Sequence, residues 1–309
     1  MDYGYLFAIA VILIIALLAF CLASFVLYRK SLLQIKSLTD QLNTSAEAVE
    51  RKSEFFSNMA HELKTPLSVI LGAVQLLGRK EGEQSESSFT KNLMIISCNC
   101  YRLLRLTNNL LDLNRIEAGY LSYKPVNCDL NQLISEIVQS VRPFASNRML
   151  SLNYCGTNGP IFVAVDIEKM ERIMLNLLSN AIKFTKPGGL VLVSVYVSGE
   201  RACISVKDSG TGIPEESREM IFERYRQAGR DSAAENEGSG IGLSLVRSFV
   251  KLHQGNIRLS SEKDNGTEFI IDLPLKQLKS ADVYESEELG ASFEEAAKIE
   301  FSTIHTVPM

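Results

Sequence analysis

Phe55-Phe56-Ser57-Asn58-Met59-Ala60-His61-Glu62-Leu63-Lys64-Thr65-Pro66-Leu67 stands inside a run where apolar residues return every seven positions, at Ile35, Leu42, Val49, Phe56, Leu63, Ile70 and Leu77. That repeat describes a long helix pairing with others along one seam. The intermediate seam positions are weaker, with Leu38, Met59 and Ala73 mixed with Ser45, Lys52 and Pro66, so the helix needs a partner. With Phe56 on the seam, His61 is placed on the outer face, Glu62 beside it and Thr65 one turn further on. Pro66 removes a backbone donor and frees the Glu62 carbonyl, so a bend is expected just below the histidine. An exposed histidine is ordinarily only a surface residue. A helix breaker close after it, with a carboxylate and a hydroxyl alongside, costs stability and points to function.

Towards the N-terminus, residues 5 to 28 carry no charge; at about 1.5 Å per residue they span about 36 Å, enough for a hydrocarbon core of roughly 30 Å. Asp2 precedes the run and nothing basic does, which is unlike a cleaved signal peptide. An uncleaved anchor, residues 1–30, is expected. Arg29 and Lys30 follow it, and positive flanks stay in the cytoplasm, so a single-pass protein of the plasma membrane with cytoplasmic catalytic domains is expected. Residues 31–52 read as a signalling-helix linker.

Towards the C-terminus, residues 81 to 88 are polar, and a second helical stripe runs through Leu93, Ile96, Cys100, Leu103, Leu106, Leu110 and Leu113 to a stop at Gly119. One hairpin cannot bury both stripes, whereas two copies make a four-helix bundle. Residues 53–119 are therefore expected to form an all-α homodimeric domain. From residue 120 to 276 helices and strands alternate: Asp129 and Asp166 can each cap a helix, Gly188-Gly189 turns between strand-like runs, and a helix over 240–253 is followed by strands near Ile257 and Phe269. An α/β layer domain is expected there. Residues 277–309, with seven acids against two lysines, read as a flexible acidic tail.

Within the α/β domain, Asn176, Asn180 and Lys183 fall at i, i+4 and i+7 and share one helix face, with leucines opposite. Amide oxygens bind Mg²⁺ and a lysine neutralises phosphate, although a polar solvent face would look the same. Asp208-Ser209-Gly210-Thr211-Gly212 follows a strand, and Gly238-Ser239-Gly240-Ile241-Gly242 opens a helix. Glycines there let backbone N–H groups approach phosphate. Asp208 can accept a hydrogen bond from the exocyclic amine of adenine. Phe222 and Gly266-Thr267 complete an ordered set.

Acidic and basic residues nearly balance, at 36 against 32, and no basic run interleaves with aromatics, which argues against a nucleic-acid partner. Six scattered cysteines suit neither a zinc clip nor a redox pair and read as reduced thiols. No Walker-type glycine loop occurs. His253, at a helix end, and His305 have no chemical setting.

The segment around His61 resembles the phosphoacceptor box of bacterial membrane sensor histidine kinases, in the His-Glu-x-x-Thr-Pro form. The later clusters resemble the N, G1, F, G2 and G3 boxes of that family's Bergerat-type (GHKL) ATP-binding domain, an α/β two-layer sandwich. The resemblance implies that His61 is the nucleophile, that Glu62 orients or deprotonates it, and that Thr65 positions a water when the enzyme acts as a phosphatase. It implies an ATP site at Asn176, Asn180, Lys183, Asp208, Gly210, Gly212, Phe222, Gly238, Gly240, Gly242 and Thr267, with Asn176 on Mg²⁺. It also implies a mobile lid over residues 226–239, in which Arg226 or Arg230 touches phosphate, and phosphotransfer to an aspartate of a cognate response regulator. The chemistry is coherent: a neutral imidazole is nucleophilic near neutral pH, and a neighbouring carboxylate can hold the required tautomer.

ATP-hydrolysing machines of the same fold usually place a water-activating Glu four residues before the magnesium asparagine, but here that position is Arg172. A serine kinase of the anti-sigma-factor type would lack the paired helices, and a degenerate scaffold would show a damaged box. With four residues ahead of the apolar run and no sensory module in the linker, the stimulus is expected within the membrane or through an accessory membrane or cytoplasmic sensor.

Overall fold

The computed structural model of the protein describes residues 3–78, 86–223, 240–279 and 290–302, leaving the side chains of residues 3, 5–16, 19, 21, 23, 48, 86, 87, 290 and 291 outside that set. The chain divides into two units, residues 1–57 and 58–309.

The first unit is the upper part of helix α1, Tyr3–Leu77. Ile35, Leu42 and Val49 are all exposed among the described residues. Among the described residues no helix is long and apolar enough to cross a membrane. The anchor expected over residues 5–28 falls largely on side chains outside the described set.

In the second unit α1 continues without a break through Pro66 to Leu77, followed by α2, Glu86–Glu117. The buried positions differ from those expected. On α1 they are Phe55 and three seam positions that looked weaker, Met59, Pro66 and Ala73, while Phe56 is exposed. On α2 they are Asn92, Asn99, Leu106, Asn109, Asp112 and Leu113, whereas Leu93 and Cys100 lie open. The pairs 59/106, 66/99 and 73/92 sit at equal distances from the link, as layers of an antiparallel hairpin must. Left uncovered are Leu67, Val69, Leu71 and Val74 on α1 and Phe89, Leu93, Met94, Leu104 and Leu111 on α2.

The α/β part runs β1 (Val126–Asp129), α3 (Leu130–Asn147), β2 (Ser151–Cys155), β3 (Phe162–Val165), α4 (Ile167–Phe184), β4 (Leu190–Ser198) and β5 (Arg201–Asp208), then α5 (Gly242–Leu252), β6 (Asn256–Ser261) and β7 (Thr267–Pro274). Its main sheet has the order β2-β4-β5-β7-β6, with β2 parallel to β4 and the other pairs antiparallel; β1 pairs antiparallel with β3 in a separate ribbon. Both expected caps form, with Asp129 accepting from the Asn131 amide and Asp166 from the Lys169 amide. Helices α3, α4 and α5 lie side by side on the sheet, and α4 is the middle one. Met170, Ile173, Met174, Leu177, Leu178 and Ile182 on α4 are fully buried. Each such side chain contributes about 1.5–3 kcal/mol by leaving water.

The expected flexible tail is in part a helix, α6, Gly290–Glu300, with Phe293, Ala297 and Phe301 buried. Apolar residues four apart give it one sticky face, which the acidic composition masks.

Candidate functional site

His61 is exposed on α1, as the outer-face register requires. One turn on, the Thr65 hydroxyl donates to the His61 carbonyl at 3.1 Å. That bond fixes Thr65 on the face of the imidazole, and Glu62 is half-buried beside it. Helix α1 continues through Pro66.

The second cluster forms where α4, β5, β7 and α5 meet. Asn176 is buried, and its amide nitrogen donates to the Arg172 carbonyl at 2.8 Å. Its oxygen is thereby turned outward, towards Gly242 at the start of α5, where an added Cβ would stand 2.5 Å away. Asn180 and Lys183 follow on the same side, half-buried, with Lys183 over the Phe184 ring. Gly240 has φ 64° and Ile241, the residue capping α5, has no side-chain cap hydrogen bond. The first N–H groups of α5 therefore offer themselves to an anion beside the Asn176 oxygen.

Asp208 ends β5 opposite Thr267 on β7, and both are buried. The Gly210 amide donates to Asp208 Oδ1 at 2.8 Å. Burial pushes the Asp208 carboxyl above the usual carboxylate range, while the amides of Gly210 and Thr267 pull it back. A Cβ on Gly210 would meet the Phe184 carbonyl at 2.6 Å and Asp208 Oδ1 at 2.7 Å. Gly212, with φ 65°, is pressed on the Glu262 carbonyl, so only glycine fits. Phe222 meets Phe269 edge-on, and the Arg247 guanidinium lies over its ring. The structure thus brings Asn176, Asn180, Lys183, Asp208, Gly210, Gly212, Phe222, Gly240, Gly242 and Thr267 into one region. Gly238, Arg226 and Arg230 lie outside the described residues.

Among the described residues no group of three His, Cys, Asp or Glu side chains could hold a metal. A hard cation fits the outward Asn176 oxygen if the remaining ligands are phosphate oxygens and water.

His253 is structural, as expected. Its Nε2 accepts from the Asp166 amide at 3.0 Å and its Nδ1 faces the Phe249 carbonyl at 2.7 Å, with burial holding the ring below the usual histidine range. The sequence reading missed Asn109 and Asp112 on α2. Both are buried; Arg172 forms an ion pair with Asp112 and donates to Asn109 Oδ1 at 2.8 Å. An Asn-x-x-Asp pair inside a leucine-rich stripe was the available signal. Arg172 therefore has a partner across the hairpin, in the place where a water-activating acid would stand.

Residues 51–119 match the His Kinase A (phospho-acceptor) domain, and residues 165–277 match the histidine kinase-, DNA gyrase B- and HSP90-like ATPase. The sequence is 40% identical over 232 residues, 74% of this chain, to the sensor histidine kinase TmoS of Ectopseudomonas mendocina, of which it spans 24%. It is 36% identical over 247 residues, 78% of this chain, to the hybrid signal transduction histidine kinase D of Dictyostelium discoideum, of which it spans 16%. The chain thus spans about a quarter or less of the length of these relatives. The solved structure of the histidine kinase ThkA in complex with the response regulator protein TrrA is similar in fold, with a TM-score of 0.52 at 23% identity over 74% of this chain and 63% of that one.

Proposed function

The chain belongs to the sensor histidine kinases, and on that premise we propose that it moves the γ-phosphoryl group of ATP onto His61 and then to an aspartate of a response regulator. The observation that carries this reading is the pairing, in one chain, of an outward histidine with a site that fits a nucleotide triphosphate. Asp208 receives the adenine amine, and the start of α5 with Lys183 receives the phosphates. Mg²⁺ on the Asn176 oxygen would neutralise phosphate charge.

The unprotonated ring nitrogen of His61 attacks the γ-phosphorus; an N–P bond forms as the bond to the ADP oxygen breaks. Glu62 holds the other ring nitrogen and takes up the developing positive charge. A carboxylate of the regulator then attacks the phosphorus and the N–P bond breaks. ThkA, with its regulator TrrA, is the precedent for that partner. Thr65, beside the ring, holds a water for the reverse task of dephosphorylating the regulator. The uncovered apolar faces of α1 and α2 support a homodimer closed as a four-helix bundle.

Residues 5–28 serve in this reading as a single membrane anchor, with Arg29 and Lys30 keeping the rest in the cytoplasm. A membrane or cytoplasmic sensor protein is a further partner in this reading. Incubation with labelled Mg-ATP and a panel of response regulators tests the proposal. The wild-type chain should gain a phosphate that survives base and is lost in acid, and one regulator should remove it rapidly. Full labelling of a His61→Gln variant would sink the reading.

A further inference from the structure

Asp208, Thr267 and Ser261 stand opposite one another on the adjacent strands β5, β7 and β6, and so form one row across the sheet. Asp208 and Thr267 are buried while Lys207, the next residue along β5, is exposed, so the row lies on the face that the helices cover. Ser261 uses everything a hydroxyl has. The Ile213 amide donates to its Oγ at 2.8 Å, the Gly266 carbonyl lies 2.9 Å from it, and Thr267 Oγ1 lies 3.0 Å from it. A hydroxyl has one proton and two lone pairs. The carbonyl of Gly266, a buried residue, can only accept, so it takes the Ser261 proton. In the remaining contact the proton must come from Thr267.

This count fixes what Thr267 can offer. With its only proton given to Ser261, its oxygen is left an acceptor beside a carboxylate that also accepts, for Asp208 already receives the amides of Gly210 and Thr267. The wall that these two side chains make therefore presents oxygen lone pairs. A ligand edge that carries an amine can meet it. An edge that carries a carbonyl at the same place sets oxygen against oxygen, and buried polar groups are left unpaired.

We propose that Ser261 is a positioning residue for base selection: by taking the Thr267 proton, it makes the site prefer a purine with an amine at its six position over one with a carbonyl there. This rests on the ATP reading above, in which Asp208 receives the amine. Ser261 itself, with its proton and both lone pairs in use, has nothing left for the base and acts through Thr267. Without the Ser261 oxygen, the Thr267 hydroxyl is free to turn and donate, and the wall accepts either purine.

The test is titration calorimetry of the full chain with Mg-ATP and with the magnesium salt of inosine triphosphate, which carries a carbonyl in place of the amine and a proton on the adjacent ring nitrogen. Wild type should hold ATP about tenfold or more tighter than inosine triphosphate. Ser261→Ala should shrink that ratio about fivefold or more, whereas Ser261→Thr, which returns the hydroxyl, should keep it. Thr267→Val, which keeps the shape and leaves Ser261 in place, should shrink the ratio as Ser261→Ala does. A merely structural role would weaken both nucleotides by the same factor, so an unchanged ratio in either Ser261→Ala or Thr267→Val would overturn the proposal. Equal affinity of wild type for the two nucleotides would overturn it as well and leave the nucleotide site standing. Binding of neither nucleotide to wild type would overturn the kinase reading, and the role of Ser261 with it.

Discussion

Asp208 and Glu171 are both buried acids, and their surroundings give them opposite uses. Asp208 keeps two amide donors, so a ligand's amine completes a set already begun. Asp208→Asn should weaken ATP binding about tenfold or more, because the donor end of the amide can oppose the adenine amine; unchanged affinity by titration calorimetry would remove Asp208 from that role. Glu171 has a buried oxygen with no hydrogen-bond partner. Burial, helped by Glu168, pushes its carboxyl from about 4.5 up to about 7. Between these values the folded chain holds a proton that the unfolded chain has released, so Glu171 draws stability down as pH rises through the window. Above pH 7 the cost is complete. Glu171→Gln should therefore stabilise the domain by about 1–3 kcal/mol at pH 8 and much less at pH 4.5, read from urea unfolding at the two pH values. Equal stabilisation at both would show that charge is not the cause.

Helix α1 carries its seven-residue repeat from one unit of the chain into the other, and Ile35, Leu42 and Val49 are exposed on it. One residue inserted near Thr44 turns the lower helix by about 100°, whereas seven restore the face. The single insertion should change the balance of kinase and phosphatase activity in membranes, and the seven should leave it near normal. The same output from both would make the linker a passive tether. Caps and faces of this kind were legible because their causes are local. Asp129 and Asp166 bond to amides within their own first turn, and the polar face of α4 follows from i, i+4, i+7 spacing. Strand β1 was not legible, since four residues have no pattern until β3 pairs with them. Nor was α6, whose burial depends on Phe144 and Arg105 far away in sequence. The join of Arg172 to Asp112 was missed for the same reason.

At the scale of the molecule, the open faces of the hairpin predict the assembly. Leu104 and Leu111 stand seven apart on α2 and are both about half exposed. Burying them in two copies contributes several kcal/mol, so Leu104→Glu with Leu111→Glu should weaken the dimer about a thousandfold or more. Sedimentation should then find monomers at micromolar concentration; an unchanged dimer would place the interface elsewhere. The sheet order has a consequence for the order of events in synthesis. Among the described residues strand β7 is the last strand made, yet it lies between β5 and β6 and supplies the Thr267 that faces Asp208. While the chain is still emerging from the ribosome, its helical hairpin can already form, but the adenine end of the site has no second wall. In the kinase reading proposed above, the chain can then find its dimer partner before it can hold ATP, and a nascent chain cannot spend phosphate on an unfinished neighbour.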